Sequence, residues 1–202
     1  CIRDRLNSEF ISCKSSTVSS ARFFKNMYTP AIIWRKNKRE IVPLRFNLLP
    51  NFSKTNKYLF FNQKKEKQEE LMTYNARVES IRTTKAYKSL IGKHHCLIPV
   101  KSFFEWVSLK DKKIEVQFHL ESEDLLLAGL WDHWGDFGEQ GINSYAIITT
   151  KARQEVEKMG HHRSPLILSP NKIDEWLDPT PNFWPLLDQT IPEVLVGDYL
   201  NK

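Results

Sequence analysis

Cysteine is scarce in this 202-residue chain. There are three, Cys1, Cys13 and Cys96, with no C-x-x-C pair among them, which argues against a disulfide framework or a zinc ribbon. The six histidines add no ligand spacing to those cysteines, so no metal site and no cofactor is expected. No apolar run is long enough to span a bilayer and no signal-peptide pattern is present. A soluble, cytoplasmic monomer is therefore expected, nucleoid-associated if the source is bacterial. No segment repeats another.

Bulk and positive charge are plentiful. Hydrophobic residues make up 41% of the chain, with twelve Phe and six Trp, enough for a sizeable core. Lys and Arg number 30 against 24 Asp and Glu, a formal net charge of +6. That excess favours a polyanionic partner, nucleic acid foremost.

In chain order, Ala31–Trp34 and Ile41–Phe46 read as two short strands around a charged turn, Arg35–Glu40. Residues 51–70 lack apolar periodicity, and Lys64-Lys65-Glu66-Lys67 reads as an exposed loop or frayed helix. A helical pattern runs through Tyr87, Leu90 and Ile91 to a stop at Gly92. The strongest strand signals follow at Cys96–Val100, Phe103–Val107, Ile114–Leu120, Leu125–Trp131 and Tyr145–Thr150. The continuous apolar runs among these predict strands buried on both faces. Thr150 is placed to cap a helix over Ala152–Met159, broken at Gly160, and Ser169-Pro170 to start another ending at Leu177. Strands in runs with irregular helices predict an α+β fold, one compact domain around a mixed, mostly antiparallel, barrel-like sheet with peripheral helices. Residues 1–178 form its body and the proline-rich 179–202 a wrapping tail.

Four segments carry candidate chemistry. Cys1 sets an α-amine and a thiol on one residue, with ordinary pKa values of about 8 and about 8.5, so a fraction of each is nucleophilic near neutrality. Such an aminothiol can condense with an aldehyde to an imine and close to a thiazolidine. Arg3 and Arg5 flank it and suit phosphates. Glu105 sits between Phe103-Phe104 and Trp106-Val107; facing inward it is a raised-pKa proton shuttle, and facing outward it is ordinary surface. His161-His162-Arg163 follows a helix stop, where a histidine can act as acid or base. In Asn75-Ala76-Arg77-Val78-Glu79, alternation sends Asn75, Arg77 and Glu79 to one face, either as a phosphate-binding edge or as a polar brace.

Taken together, Cys1 with Arg3, the Asn75–Glu79 segment, Phe103-Phe104-Glu105-Trp106, and His161 ahead of Pro165-Leu166-Ile167-Leu168 resemble the SOS response-associated peptidase (SRAP) family, the abasic-site processing proteins. Pro43–Pro50 resembles the family's proline-arginine-tryptophan-glycine-leucine-isoleucine-proline segment, and Thr29-Pro30 its alanine-proline loop. The resemblance runs through about residues 1–178. It implies removal of an initiator Met by the protein itself and capture of abasic sites in single-stranded DNA as a thiazolidine crosslink. Carried over by position, it implies Cys1 as nucleophile, Asn75 orienting it, and Glu105 and His161 as acid–base groups. Arg3, Pro30, Arg77, Lys85 and Arg163 then fall at DNA-binding positions.

Several positions depart from the family pattern. Ile2 stands for Gly, Phe46-Asn47 for Trp-Gly, and His162 for Asp, while Phe52 is the one aromatic left where tryptophans are usual. An N-terminal-nucleophile amidase using Cys1, and a noncatalytic nucleic-acid binder, remain alternative readings of the same residues.

Overall fold

The computed structural model describes residues 22–200 except 110–111, 122, 136–140, 179–182 and 190. The fold begins with an antiparallel hairpin, β1 (Tyr28–Arg35) and β2 (Lys38–Phe46). Its turn is only Lys36-Asn37, both at positive φ (52° and 60°), the two-residue geometry whose twist matches the flanking strands. The charged run therefore belongs mostly to strand ends.

A second hairpin, β3 (Leu59–Asn62) and β4 (Lys67–Glu70), occupies the stretch expected to be a loop or frayed helix. The reason is local. Tyr58-Leu59-Phe60-Phe61 is a β-prone run, and the Asn62 side chain accepts from the backbone N–H of Lys64 (3.1 Å) and Lys65 (3.3 Å), closing the turn. The short β5 (Asn75–Arg77) comes next, then a series of turns over 78–94 where the apolar spacing predicts a helix. Isolated i→i−4 bonds such as Lys88 N–H to Thr84 and Ile91 N–H to Tyr87 survive there; Tyr87 and Leu90 are buried as their spacing implies, while Ile91 is half-buried. Thr83, Thr84 and Ser80 turn the backbone on itself, their hydroxyl and carbonyl bonds competing with a continuous helix.

The remaining strands are β6 (His95–Val100), β7 (Ser102–Leu109), β8 (Lys112–His119), β9 (Leu125–Trp134), β10 (Ile142–Lys151), β11 (Arg163–Pro165) and β12 (Val196–Tyr199). Strands β10, β2, β1, β6 and β9 pair in that order, and β9 pairs again with β10, so the five close into a ring. β5 and β11 extend the far half of β10, on its β2 side and its β9 side. Only the pairings of β10 with β2 and β5 are parallel, so the sheet is mixed and mostly antiparallel. A closed ring also removes exposed strand edges.

Alternate residues of the ring feed two cores. Ala31, Ile33, Leu44, Cys96, Ile98, Leu125, Leu127 and Tyr145 pack with Phe103, Val107, Val116 and Phe118 of a second, three-stranded sheet ordered β12-β8-β7. The other set, with Ile32, Leu97, Ala128, Leu130 and Ile148, packs against the 80–91 turns, Trp176, Phe183 and Leu186. This is why the strand sequences read as unbroken apolar runs. At the β9–β10 crossing only glycine fits. A Cβ on Gly129 would lie 2.9 Å from both the Ala146 carbonyl oxygen and the Cys96 Sγ.

Two short helices complete the body, α1 (Gln154–Lys158) and α2 (Ile173–Leu177), the latter preceded by a 3-10 turn at Pro170–Lys172. Thr150 does not cap α1. It lies in β10, which continues to Lys151 because β11 pairs with it, and Arg153 occupies the cap position without a side-chain capping bond. Past the undescribed residues 179–182, a 3-10 helix at Trp184–Asp188 packs on the core and β12 adds a strand to the second sheet.

His95, fully buried beneath α2, donates from Nδ1 to the Trp176 carbonyl (2.8 Å) and accepts the Gly92 N–H at Nε2 (2.8 Å). Both bonds are those of the neutral ring, and burial holds its pKa at about 4. A depressed histidine stabilises the fold above its unfolded pKa of about 6.5, and that contribution is lost as pH falls toward the folded value. Linkage puts the loss from this group at about 2 kcal/mol by pH 5. Denaturant midpoints at pH 7 and pH 5 should show it, and His95→Gln should shrink the difference between them.

Candidate functional site

Strand β7 sets the orientation of Glu105. Phe103 and Val107 are buried, whereas Trp106 is 57% exposed, so Glu105 shares the inward face with the first two. The alternative in which Trp106 faced inward and Glu105 outward is excluded by this alternation. Burial raises the Glu105 carboxyl above the ordinary carboxylate range, and the facing imidazole of His161 partly offsets the effect.

His161 arrives from the other sheet. Helix α1 ends with the Gly160 N–H on the Glu157 carbonyl and the His161 N–H on the Val156 carbonyl, a reverse turn that needs a left-handed residue. Gly160 supplies it at φ +95°. The His161 Nδ1 then lies 2.7 Å from the Arg163 carbonyl oxygen, which can only accept, so Nδ1 carries the proton and Nε2 is turned toward Glu105. Glu105 Oε2 is 3.3 Å from that Nε2, with each side chain about a quarter exposed (27% and 26%). A carboxyl and an imidazole so placed can exchange one proton between two groups that a solute can reach.

Asn75 and Arg77 are exposed on either side of buried Ala76, as the alternation predicts, and β5 aligns them with Ile147 and Thr149 of β10. The Asn75 carbonyl accepts the Tyr87 hydroxyl (3.2 Å), which leaves its side chain to the surface. Glu79 lies past the strand end and reaches Arg163 at 2.6 Å. The same guanidinium donates to the Thr149 carbonyl (2.6 Å) and hydroxyl (3.1 Å). Arg163 thus fastens the turn after β5 to the strand pair β10–β11, and its hydrogen bond holds the Glu79 carboxyl below the usual carboxylate range. Of the two readings of this acidic position, the brace is the one seen.

Lys85 and Pro30 make other contacts. Lys85 Nζ sits 4.7 Å over the Phe52 ring. Pro30 is exposed in β1 opposite Pro43, so Thr29-Pro30 is strand rather than loop, and Thr29 donates to the buried Tyr145 hydroxyl (3.0 Å). Cys1 and Arg3, with Ile2, fall outside the described residues.

Asn47 explains one departure from the family pattern. It takes φ +93°, a conformation glycine adopts freely and asparagine tolerates better than most residues. Its side chain is put to use, accepting from the Thr73 N–H (2.9 Å) and donating to Glu70 (3.3 Å). Sequence reasoning does not find Thr149, because its contribution is largely a backbone carbonyl. Gly160 reads in the sequence only as a helix stop, although its positive φ is what aims His161.

The fold and site together define an α+β domain, a closed ring of strands with a second sheet, carrying a carboxylate–imidazole pair between them. The sequence pattern of the SOS response associated peptidase (SRAP) family matches residues 5–193, and the chain belongs to that family. It is 35% identical over 107 residues to the abasic site processing protein YobE of Bacillus subtilis (strain 168), covering 52% of this chain and 48% of that protein. It is 31% identical over 138 residues to YoqW of the same organism, also an abasic site processing protein, covering 67% and 56%. The chain thus spans about half the length of these relatives. A crystal structure from Bordetella bronchiseptica shares the fold, with a TM-score of 0.72 at 22% identity over 99% of this chain and 96% of that one. Among the described residues no helix is long and apolar enough to cross a membrane.

Proposed function

We propose that this chain captures abasic sites in single-stranded DNA as a covalent thiazolidine, with Cys1 as the attacking residue. The observation that carries the reading is the Glu105–His161 pair, a raised-pKa carboxyl 3.3 Å from an imidazole with its tautomer set. Family membership supports the substrate class, and Cys1 is taken as the attacking residue from its resemblance to the family's terminal cysteine.

The chemistry needs proton transfers of the kind such a pair supplies. Opening the abasic deoxyribose moves the hydroxyl proton off C1 and returns one to the ring oxygen, exposing an aldehyde. The α-amine adds to that carbon, and loss of water, with a proton delivered to the departing hydroxyl, leaves an imine. The thiolate then adds to the imine carbon while nitrogen gains a proton, closing the five-membered ring. Protonated Glu105 is the acid for the departing hydroxyl, while the bare His161 Nε2 takes up the proton released by the α-amine and passes it to the Glu105 carboxylate. Asn75 orients the opened sugar, and Arg77 and Lys85 meet the strand's phosphates, with Arg3 and Pro30 as further strand contacts, while Arg163 holds the turn beside them.

The test is incubation with a uracil-containing single strand treated with uracil glycosylase. A heat-resistant adduct with the mass of protein plus DNA, mapped to the Cys1 peptide, is the expected product. Reducing the abasic aldehyde to an alcohol beforehand should prevent it. Failure of a protein with a free Cys1 amine to form any adduct would overturn the reading.

A further inference from the structure

The β3–β4 hairpin is unexplained by the site above. It carries Phe60 and Phe61, 40% and 62% exposed, and as consecutive strand residues they point to opposite faces. Leu71 and Met72 continue the exposed apolar surface at its base. A two-stranded ribbon is marginal alone, yet this one is pinned. Asn62 Nδ2 donates to Glu69 (2.8 Å), and at the other end Glu70 meets both Lys25 (3.1 Å) and the Asn47 amide.

The hairpin's charges are sorted unevenly. Glu69 faces Lys65 and Lys67 at 3.0 and 3.6 Å, and Glu70 is taken by the body. Lys54, Lys57 and Lys64 are exposed with no ion pair among the described residues, against Glu66 alone at the turn. Two exposed rings on a segment with three lysines that form no ion pair among the described residues suit bases and phosphates better than an apolar protein surface, which would have to desolvate those ammonium groups.

Position makes the hairpin useful. Four residues separate Glu70 from Asn75, a span of at most about 18 Å. Its base is also joined to the body by aromatic contact, Tyr58 standing edge-on to Phe52 (5.6 Å) beneath Lys85.

We propose that the β3–β4 hairpin is a second contact for single-stranded DNA, stacking bases on Phe60 and Phe61 and pairing phosphates with Lys54, Lys57 and Lys64. This rests on the reading of single-stranded DNA as the partner. The hairpin extends the bound length of strand beyond the reaction site and so sets affinity, not chemistry.

Phe60→Ala/Phe61→Ala should weaken binding to an undamaged strand of about 20 nucleotides by about tenfold or more, and leave binding to one of about 5 unchanged. Replacing the three lysines by Ser should flatten the log–log salt dependence by about 2, at roughly 0.7 per phosphate contact. The rate of adduct formation at a saturating short abasic strand should not change in either variant. Wild-type affinity for the long strand in both variants would overturn the proposal, as would equal losses on short and long strands. So would a loss of self-association in sedimentation without a change in DNA binding, which would mark the hairpin as a protein contact. If wild type binds the long strand through the hairpin yet forms no abasic adduct, the crosslinking chemistry fails while the hairpin contact stands.

Discussion

Glu105→Gln is expected to slow adduct formation on abasic single strands by about 10²–10⁴-fold, the usual contribution of a positioned general acid–base group. Glutamine keeps the shape of glutamate and can still hydrogen-bond the His161 ring, so the two sheets stay joined. What it cannot do is release or take up a proton. The pH profile adds a second reading. In the wild type the acid form of Glu105 is held to higher pH by burial, so the rate should fall as pH rises through that raised value. The variant should lose that limb.

Stability runs the other way. A carboxyl with a raised folded-state pKa contributes stability below its unfolded value, and loses it as pH rises through the folded one. Above that raised value the wild type therefore carries the cost of a half-buried charge. The neutral amide of the Glu105→Gln variant avoids that cost, so the variant should be as stable as wild type or slightly more so. A slow, stable variant is the expected result in a gel-shift time course paired with thermal melts. Unchanged rates would remove Glu105 from the mechanism.

The largest loss of stability is expected from Trp176→Ala, about 3–5 kcal/mol. Trp176 is the largest side chain with essentially no exposed surface. Its indole N–H donates to the Cys96 carbonyl (3.0 Å), its ring stacks on His95 with centroids 4.0 Å apart, and Phe183 meets it edge-on. Truncation leaves a cavity where α2 seals one face of the strand ring, and a buried carbonyl without a donor. Since a domain's whole stability is about 5–15 kcal/mol, chemical denaturation should find the variant near the edge of folding. A midpoint close to wild type would mean that α2 is not part of the cooperative core.

These two residues differ in how far sequence alone reaches. Trp176 lies in a segment with a clear Ser-Pro helix start, but nothing nearby says that its indole bonds to β6, eighty positions earlier in the chain. Glu105 could be singled out because a carboxylate among Phe103, Phe104, Trp106 and Val107 is chemically unusual. Its direction could not, since strand alternation allows either face and only packing of β7 against the ring chooses. The 80–91 segment shows the opposite case. Its apolar spacing identifies Tyr87 and Leu90 as buried, while the backbone there forms successive turns instead of the helix that the spacing suggests.

The strands and their mixed, mostly antiparallel character were legible because alternation and unbroken apolar runs are local consequences of burial. So were Asn75, Glu105 and His161 as polar residues in telling places, and the family those motifs mark. Closure of the ring, the meeting of Glu105 with His161 from different sheets, and the fastening of Arg163 to Glu79 were not. The two side-chain meetings join residues 56 and 84 positions apart. No local propensity encodes them. They follow from the packing of two sheets on a shared core, which aligns a β7 side chain with a loop that Gly160 turns toward it.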